Sequence, residues 1–399
     1  MIVKVGLTEG DLTGDTNAVI QQAIDAAGAY GGGTVELGAG VYTLYNSVQL
    51  RRNVRLVGQG SATVLRKCDG ARSEFAVDAD YGQKKVTVQD PSGFRVGMGV
   101  VITDDRAGGW AATVAAITLI QENVLYVDKH FVMDYDAQAG GIIRNAFPLV
   151  SGIDVDSVEI EGIHVDGNRE TNEPINGCVA GGIYLHRARR CRIADCVVRD
   201  FAGDGISFQI TQDIYVERCE VQRATGLGFH PGTGSERAVI RDCKAIANGG
   251  DGIFLCWRAQ DSRFENNQVL DNGRHGFSIG HKDTDNLFLG NVVRGSASHG
   301  VYFREEKPSN AGSRNTFRRN VIEDNGGCGV YVDGETTDLL FEENEIRDTR
   351  SGDARTQRVG ILAGPQSARL RSVRNRIENH IEAPIQGEVM VEGEAPANE

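Results

Sequence analysis

A glycine-centred phrase returns five times between Gly203 and Glu306: Gly203-Asp204-Gly205-Ile206, Gly226-Leu227-Gly228-Phe229, Gly250-Asp251-Gly252-Ile253, Arg274-His275-Gly276-Phe277 and Ser298-His299-Gly300-Val301. Gly205, Gly228, Gly252, Gly276 and Gly300 follow one another at steps of 23, 24, 24 and 24 residues. A unit this short cannot bury its own apolar face, so its copies must stack. Each repeat opens on a strand-like run such as Val239–Ala245 or Arg263–Val269, followed by a polar turn, often Asn-Gly as in Asn248-Gly249 and Asn272-Gly273. The glycine phrase and a second strand close it. Parallel strands need a long crossover, and a coil of about 24 residues supplies one when neighbours stack ~4.8 Å apart. Such crossovers are right-handed. The expected fold is therefore all-β: a right-handed parallel β-helix of about ten or eleven rungs.

Two stretches depart from the period. Near the start, Asp15-Thr16-Asn17 can cap a helix over Ala18–Ala27, whose Val19, Ile20, Ala23, Ile24 and Ala27 form one apolar stripe. Such an N-terminal capping α-helix covers the open edge of a first rung. Residues 84–146 break the repeat and read as a small β insertion, with strand-like Lys85–Val88, Val100–Thr103, Ala112–Ile120 and Val124–Val127. The expected organisation is a cap with first rungs over 1–83, the insertion over 84–146, the main β-helix over 147–386 and a polar tail over 387–399.

The net charge of −13 argues against nucleic-acid or anionic-membrane partners, which need basic patches. No apolar run reaches the ~18 residues of a spanning helix. The opening MIVKVGLTEGD shows no leader, so the expected location is cytoplasmic as the sequence stands, or secreted or periplasmic if a leader has been removed. The eight cysteines contain no CxxC pair. Cys196, Cys219 and Cys243 share one repeat position, continued by Asn267, Asn291, Asn320 and Asn344. The column reads as an internal ladder of reduced core thiols and then amides bonded rung to rung. The oligomer is expected to be a monomer or a homotrimer.

Alternation along the second strand sorts its side chains. Ile206, Phe229, Ile253, Phe277 and Val301 face the core, so Ser207, His230, Phe254, Ser278 and Tyr302 face outward, followed by Gln209, Gly232, Cys256, Gly280 and Arg304. Just beyond lie Trp257-Arg258, His281-Lys282 and Glu305-Glu306. One face thus collects aromatic, cationic and titratable groups over roughly 20–25 Å, a groove suited to a polysaccharide or oligosaccharide.

The chain resembles two groups of proteins. Asp11–Tyr42, with its helix, Gly31-Gly32-Gly33-Thr34-Val35-Glu36-Leu37 and Gly40-Val41-Tyr42, resembles the N-terminal cap of pectate-lyase-like β-helix enzymes. Val165–Arg169, Gly228–Pro231, Ile240–Asp242, Asn248–Gly252, Phe264–Asn267 and Arg274–Phe277 resemble, in order, the catalytic module of the calcium-dependent mannuronan (alginate) C5-epimerases. That family's Tyr-Gly-Phe-Asp-Pro-His signature stands here as Leu227-Gly228-Phe229-His230-Pro231-Gly232. Asp251 takes the place of a further aspartate on the next rung, so three of four catalytic positions differ. The resemblance also implies calcium, for which Asp283 and Asp285 are the oxygen donors at hand. An inter-rung turn explains the same two residues.

The leading expectation is C5 proton abstraction and β-elimination on a uronate-containing glycan, lyase- or epimerase-like. His230 is the expected base, Asp251 its partner, and His281 the reserve acid or base. Arg304, Lys282 and Arg258 would neutralise the substrate carboxylate, and Glu305 completes the catalytic set. Asp204, Gln209, Trp257, Arg258, Arg274, His275, Tyr302 and Glu306 are the expected binding residues. The alternative is a glycoside hydrolase using carboxylates among Asp251, Asp283, Glu305 and Glu306. A third reading is a non-catalytic glycan-binding solenoid.

Overall fold

A computed structural model describes residues 1–393, which fall into two compact units: Met1–Leu185 with Val198–Ser207, and His186–Val197 with 208–393.

In the first unit the helix runs over Asn17–Ala29 and buries Ile20, Ala23, Ile24 and Ala27 against the strands Ile2–Gly6 and Gly33–Leu37. Thr16 occupies the N-cap without a side-chain bond; the Asn17 carboxamide is used elsewhere, accepting from Tyr45 N at 3.0 Å. The long strand Val54–Lys67 pairs in parallel with Gly33–Leu37, Gly40–Leu44 and Glu159–Asp166. A separate six-stranded sheet interrupts these coils. It begins at Arg72–Glu74 and ends at Ile142–Arg144, and its pairings are antiparallel. Phe75, Val88, Ile102, Ile117, Leu125, Phe131, Tyr135 and Ile143 give it a core of its own.

The second unit is a parallel β-helix. Three columns of short strands repeat coil after coil, as in Val239–Arg241, Lys244–Ile246 and Ile253–Phe254. Each pairs in parallel with its counterpart one coil later: Ile240 with Phe264, Ala245 with Val269, Ile253 with Phe277. Phenylalanines fill the interior in file. Phe264, Phe288 and Phe317 stack at centroid distances of 4.8 and 4.2 Å.

Side-chain ladders pin the turns. Asn291 Nδ2 donates to Asn320 Oδ1 and to Phe264 O, while its Oδ1 accepts from both N and Nδ2 of Asn267. The same pattern runs on through Asn344 to Asn375. All eight cysteines are free thiols, and Cys219 and Cys243 are buried at the thiol end of this column. A second amide ladder joins Asn248 to Asn272, and a third joins Asn286 to Asn315. The step in the first of these columns is 24 residues from Asn267 to Asn291 and lengthens to 29 between Asn291 and Asn320. The expected tail from 387 enters the fold in part, because Met390–Glu392 pairs in parallel with Arg371–Val373. Residues 394–399 lie outside the described residues.

Candidate active site

The third strand column alternates as its sequence requires. Ile253, Leu255, Phe277, Ile279, Val301 and Phe303 are buried inward, which turns Phe254, Ser278 and Tyr302 outward. Where these strands end, the chain enters the left-handed region twice in succession on two neighbouring coils: Trp257 and Arg258 at φ 50° and 72°, His281 and Lys282 at φ 46° and 67°. Residues carrying a Cβ occupy that region at a cost of roughly 1–2 kcal/mol each. Single residues take the same region at turns along the chain, among them Asp195, Arg218, Asp242 and Asn266, so it is the occurrence in two successive residues that marks these two turns.

The turn brings Trp257, His281 and Glu306 together. The His281 imidazole lies flat on the Trp257 indole, centroids 4.3 Å apart and planes 1° from parallel. Its Nδ1 is 2.5 Å from Glu306 Oε1. The tautomer whose Nδ1–H donates to Glu306 leaves a lone pair on Nε2. Nε2 makes no hydrogen bond among the described residues, and Trp257 is 49% exposed. Arg258 and Lys282 are exposed, and neither is paired with a carboxylate among the described residues. Next to the dyad opens a cleft of about 560 Å³ lined by Glu305, Glu306, Lys307, Asn310, Glu335 and Gln366. Lys307, Asn310, Glu335 and Gln366 are additions to the expected set. The longer coil that supplies Lys307 and Asn310 is visible in the sequence as the break in the 24-residue step.

Other expected site residues serve the scaffold. Arg304 donates from Nη2 to Asp283 Oδ2 at 3.0 Å and to Leu255 O at 2.9 Å, and from Nη1 to Ser278 Oγ at 3.0 Å. Its guanidinium lies 4.5 Å over the Phe254 ring, so its charge is already matched. Asp283 is fully buried and also accepts from Ala259 N at 2.9 Å and Gly280 N at 3.0 Å. Burial pushes its carboxyl pKa up, against the pull of Arg304. Asp285 is bound by Arg314 through two contacts of 2.7 Å. The expected calcium donors are therefore both engaged by arginines, and they do not converge on a cation site.

Asp251 is fully buried, and its Oδ1 accepts from His275 N at 2.9 Å. His275 Nδ1 accepts in turn from His299 N at 3.3 Å, and His299 Nδ1 from Cys328 N at 2.9 Å. Asp251 and His275 thus begin another turn ladder, with Arg274 Nε 3.9 Å from Asp251 Oδ1. Burial first, then His299, Arg274 and Arg304, lowers the His275 pKa to about 3. Tyr302 stacks on His275 at 4.6 Å and donates its hydroxyl to Asp333 at 3.3 Å. His230 is buried, its ring edge-on to Phe254 at 5.5 Å. Gln209 is also buried, and a Cβ on Gly232 would fall 2.0 Å from its Oε1. Gln209 fills the space that a side chain at position 232 would need. Asp204 belongs to the first unit and is buried there. His230, Asp251, Asp204 and Gln209 are thus buried, whereas Trp257, Arg258, His281, Lys282, Glu305 and Glu306 are half-buried or exposed along one turn column.

Comparison with known proteins matches residues 161–310 to the right-handed beta helix region family. The chain is 26% identical over 301 residues to mannuronan C5-epimerase AlgE2 of Azotobacter vinelandii, covering 73% of this chain and 21% of that protein. It is 27% identical over 208 residues to alginate lyase 7 of the same organism, covering 52% of this chain and 21% of that one. The chain thus spans about a fifth of the length of these curated relatives. The Azotobacter vinelandii mannuronan C5-epimerase AlgE4 A-module superposes with a TM-score of 0.62 at 18% identity, covering 95% of this chain and 94% of that one. The chain is thus a right-handed parallel β-helix, similar in sequence to mannuronan C5-epimerases.

Proposed function

We propose that this chain acts on a uronate-bearing polysaccharide or oligosaccharide by abstracting the C5 proton, with His281 as the base. The observation that carries the reading is the His281–Glu306 contact of 2.5 Å, stacked on a half-exposed tryptophan between two cations without carboxylate partners. Glu306 fixes the ring tautomer and stabilises the imidazolium that forms. The exposed part of the indole, beyond the area that His281 covers, gives a sugar an apolar contact beside Nε2. Nε2 takes the C5 proton, and Lys282 and Arg258 neutralise the carboxylate as it gains enolate character. In β-elimination the C4–O4 bond then breaks, C4 and C5 become doubly bonded, and the imidazolium returns its proton to O4. If instead the C4–O4 bond stays intact and a water on the opposite face protonates C5, the result is epimerisation, with the resulting hydroxide taking the imidazolium proton. Similarity to an epimerase and a lyase supports a carbon acid as the reacting group.

The test is incubation with uronate polymers, read by near-ultraviolet absorbance for the unsaturated product and by NMR for inversion at C5. His281→Ala should lower the rate by about 10²–10⁴. Turnover that survives this change, or no turnover of any uronate polymer, would sink the proposal.

A second reading is favoured by the carboxylates of the cleft. Glu305, Glu306 and Glu335 could serve as the acid and base of a glycoside hydrolase. Asp251 and Asp283 drop out of that set because both are fully buried. New reducing ends without ultraviolet absorbance would select hydrolysis.

A further inference from the structure

We infer that a cavity of the first unit, between the antiparallel sheet and the loop through Thr171 and Glu173, binds a single sugar acid through its carboxylate. The inference stands on that cavity alone and is independent of the role given to His281.

The sheet sets two like charges side by side. Arg72 and Arg144 are direct partners across the antiparallel pair Arg72–Glu74 and Ile142–Arg144. Like charges directly opposite destabilise a sheet, and departures of this kind from local rules gather at functional sites. One carboxylate answers both: Glu173 Oε1 accepts from Arg72 Nη1 at 3.0 Å, and its Oε2 from Arg144 Nη1 at 3.1 Å. Each guanidinium has further N–H groups, and neither makes another hydrogen bond among the described residues. Of the side chains that line the cavity, only these three are charged. The lining therefore keeps a positive surplus, within a chain of net charge −13.

The wall around them is fixed. Gly70 lies so close to the loop that a Cβ there would fall 1.9 Å from Thr171 O. Asn145 Oδ1 accepts from Ala71 N at 2.8 Å, and its Nδ2 donates to Asp69 O at 3.0 Å. A preformed wall spares the ligand the cost of ordering it. The cavity holds about 190 Å³, room for one sugar ring, and Ala71 and Ala146 give it an apolar side.

The lining also selects the ligand. The unused guanidinium N–H groups take a carboxylate in fork geometry. Glu173 only accepts, which suits sugar hydroxyls as donors. A uronate brings one negative charge together with hydroxyls, and so balances the surplus. A phosphate dianion brings more charge than the surplus and no donor, and meets Glu173 as a like charge. A neutral sugar leaves the surplus unanswered.

The experiment follows the Ala71 and Ala146 methyl signals of the ¹³C-alanine-labelled chain by NMR. The titrants are methyl galacturonoside, methyl galactoside and inorganic phosphate. The uronate should shift both signals at a concentration about tenfold below that needed for either of the others. In the folded Arg72→Gln/Arg144→Gln variant its half-saturation should rise about 10–100-fold. Arg72→Lys/Arg144→Lys keeps the charge and loses the fork, and should weaken binding about tenfold. Signals that the uronate does not move, an equal response to the galactoside, phosphate binding as tight as the uronate, or uronate binding unchanged in both arginine variants overturns the inference. Uronate binding in this cavity with no turnover of any uronate polymer upholds it and sinks the proposed function alone.

Discussion

Asp283 grips Arg304 through a 3.0 Å contact in which the carboxylate is wholly out of solvent. The pair closes a turn: Asp283 also holds two backbone amides, and Arg304 spans Ser278 and Leu255. Removing the arginine strands a buried charge. Arg304→Ala should therefore cost about 3–5 kcal/mol in denaturant unfolding, with Asp283→Ala similar and Asp283→Asn milder. A cost below ~1 kcal/mol, the range of an exposed ion pair, would show that the contact does not hold the turn.

Acid should unfold this protein partly through histidine. The His275 pKa is about 3, and burial also lowers that of His299, against about 6.5 for an exposed histidine. Between those values the unfolded chain binds the proton first. The stability from neutral His275 is thus full above about pH 6.5 and is lost as pH falls toward 3. Paired carboxylates such as Glu217, at about 2, respond at lower pH. The melting temperature should fall between about pH 7 and 5, and His275→Gln should flatten that fall. An unchanged slope would remove His275 from the account.

The amide ladder predicts a sharp chemical preference. Asn291 gives two hydrogen bonds and receives two, all buried. Asn291→Ala leaves several partners unsatisfied and should cost about 2–4 kcal/mol. Asn291→Asp should cost at least as much, because it loses the donors and buries a charge. Equal midpoints for wild type and both variants would mean that the ladder relaxes locally.

At the turn column, binding and chemistry should separate. Trp257→Ala removes a stacking face and should raise KM about tenfold, on the scale of an aromatic contact, and lower kcat less. Glu306→Gln keeps the shape but not the charge behind His281, and should lower kcat about 10–100-fold with little change in KM. The opposite split would exchange the two roles.

The fold was legible because its period is written directly in the chain. Gly228, Gly252 and Gly276 sit at equal spacing, and the strands they introduce pair at that spacing. The start of the antiparallel sheet was not legible, since Arg72–Glu74 is a three-residue strand without a pattern of its own. Within the site, alternation gives direction but not depth. It points His230 and Gln209 outward, yet both are buried, because neighbouring residues cover them. The sequence presents Arg304 as a cation available to a substrate carboxylate, whereas its partner Asp283 stands one coil back. The open column of Trp257, His281 and Glu306 was named in the sequence, but the contact that joins His281 to Glu306 was not, since it depends on turn geometry and not on strand parity.

The lengthened coil between Asn291 and Asn320 carries a lesson about descent. The amide bond bridges 29 residues as readily as 24, so the stack does not register what the chain does between its fixed points. The surplus falls between Phe303 and Asn315, at the residues lining the cleft. Mutation can thus rebuild that wall, by insertion or deletion, without renegotiating the architecture beneath it. A lineage built this way can exchange one reactive set for another while its skeleton stays the same.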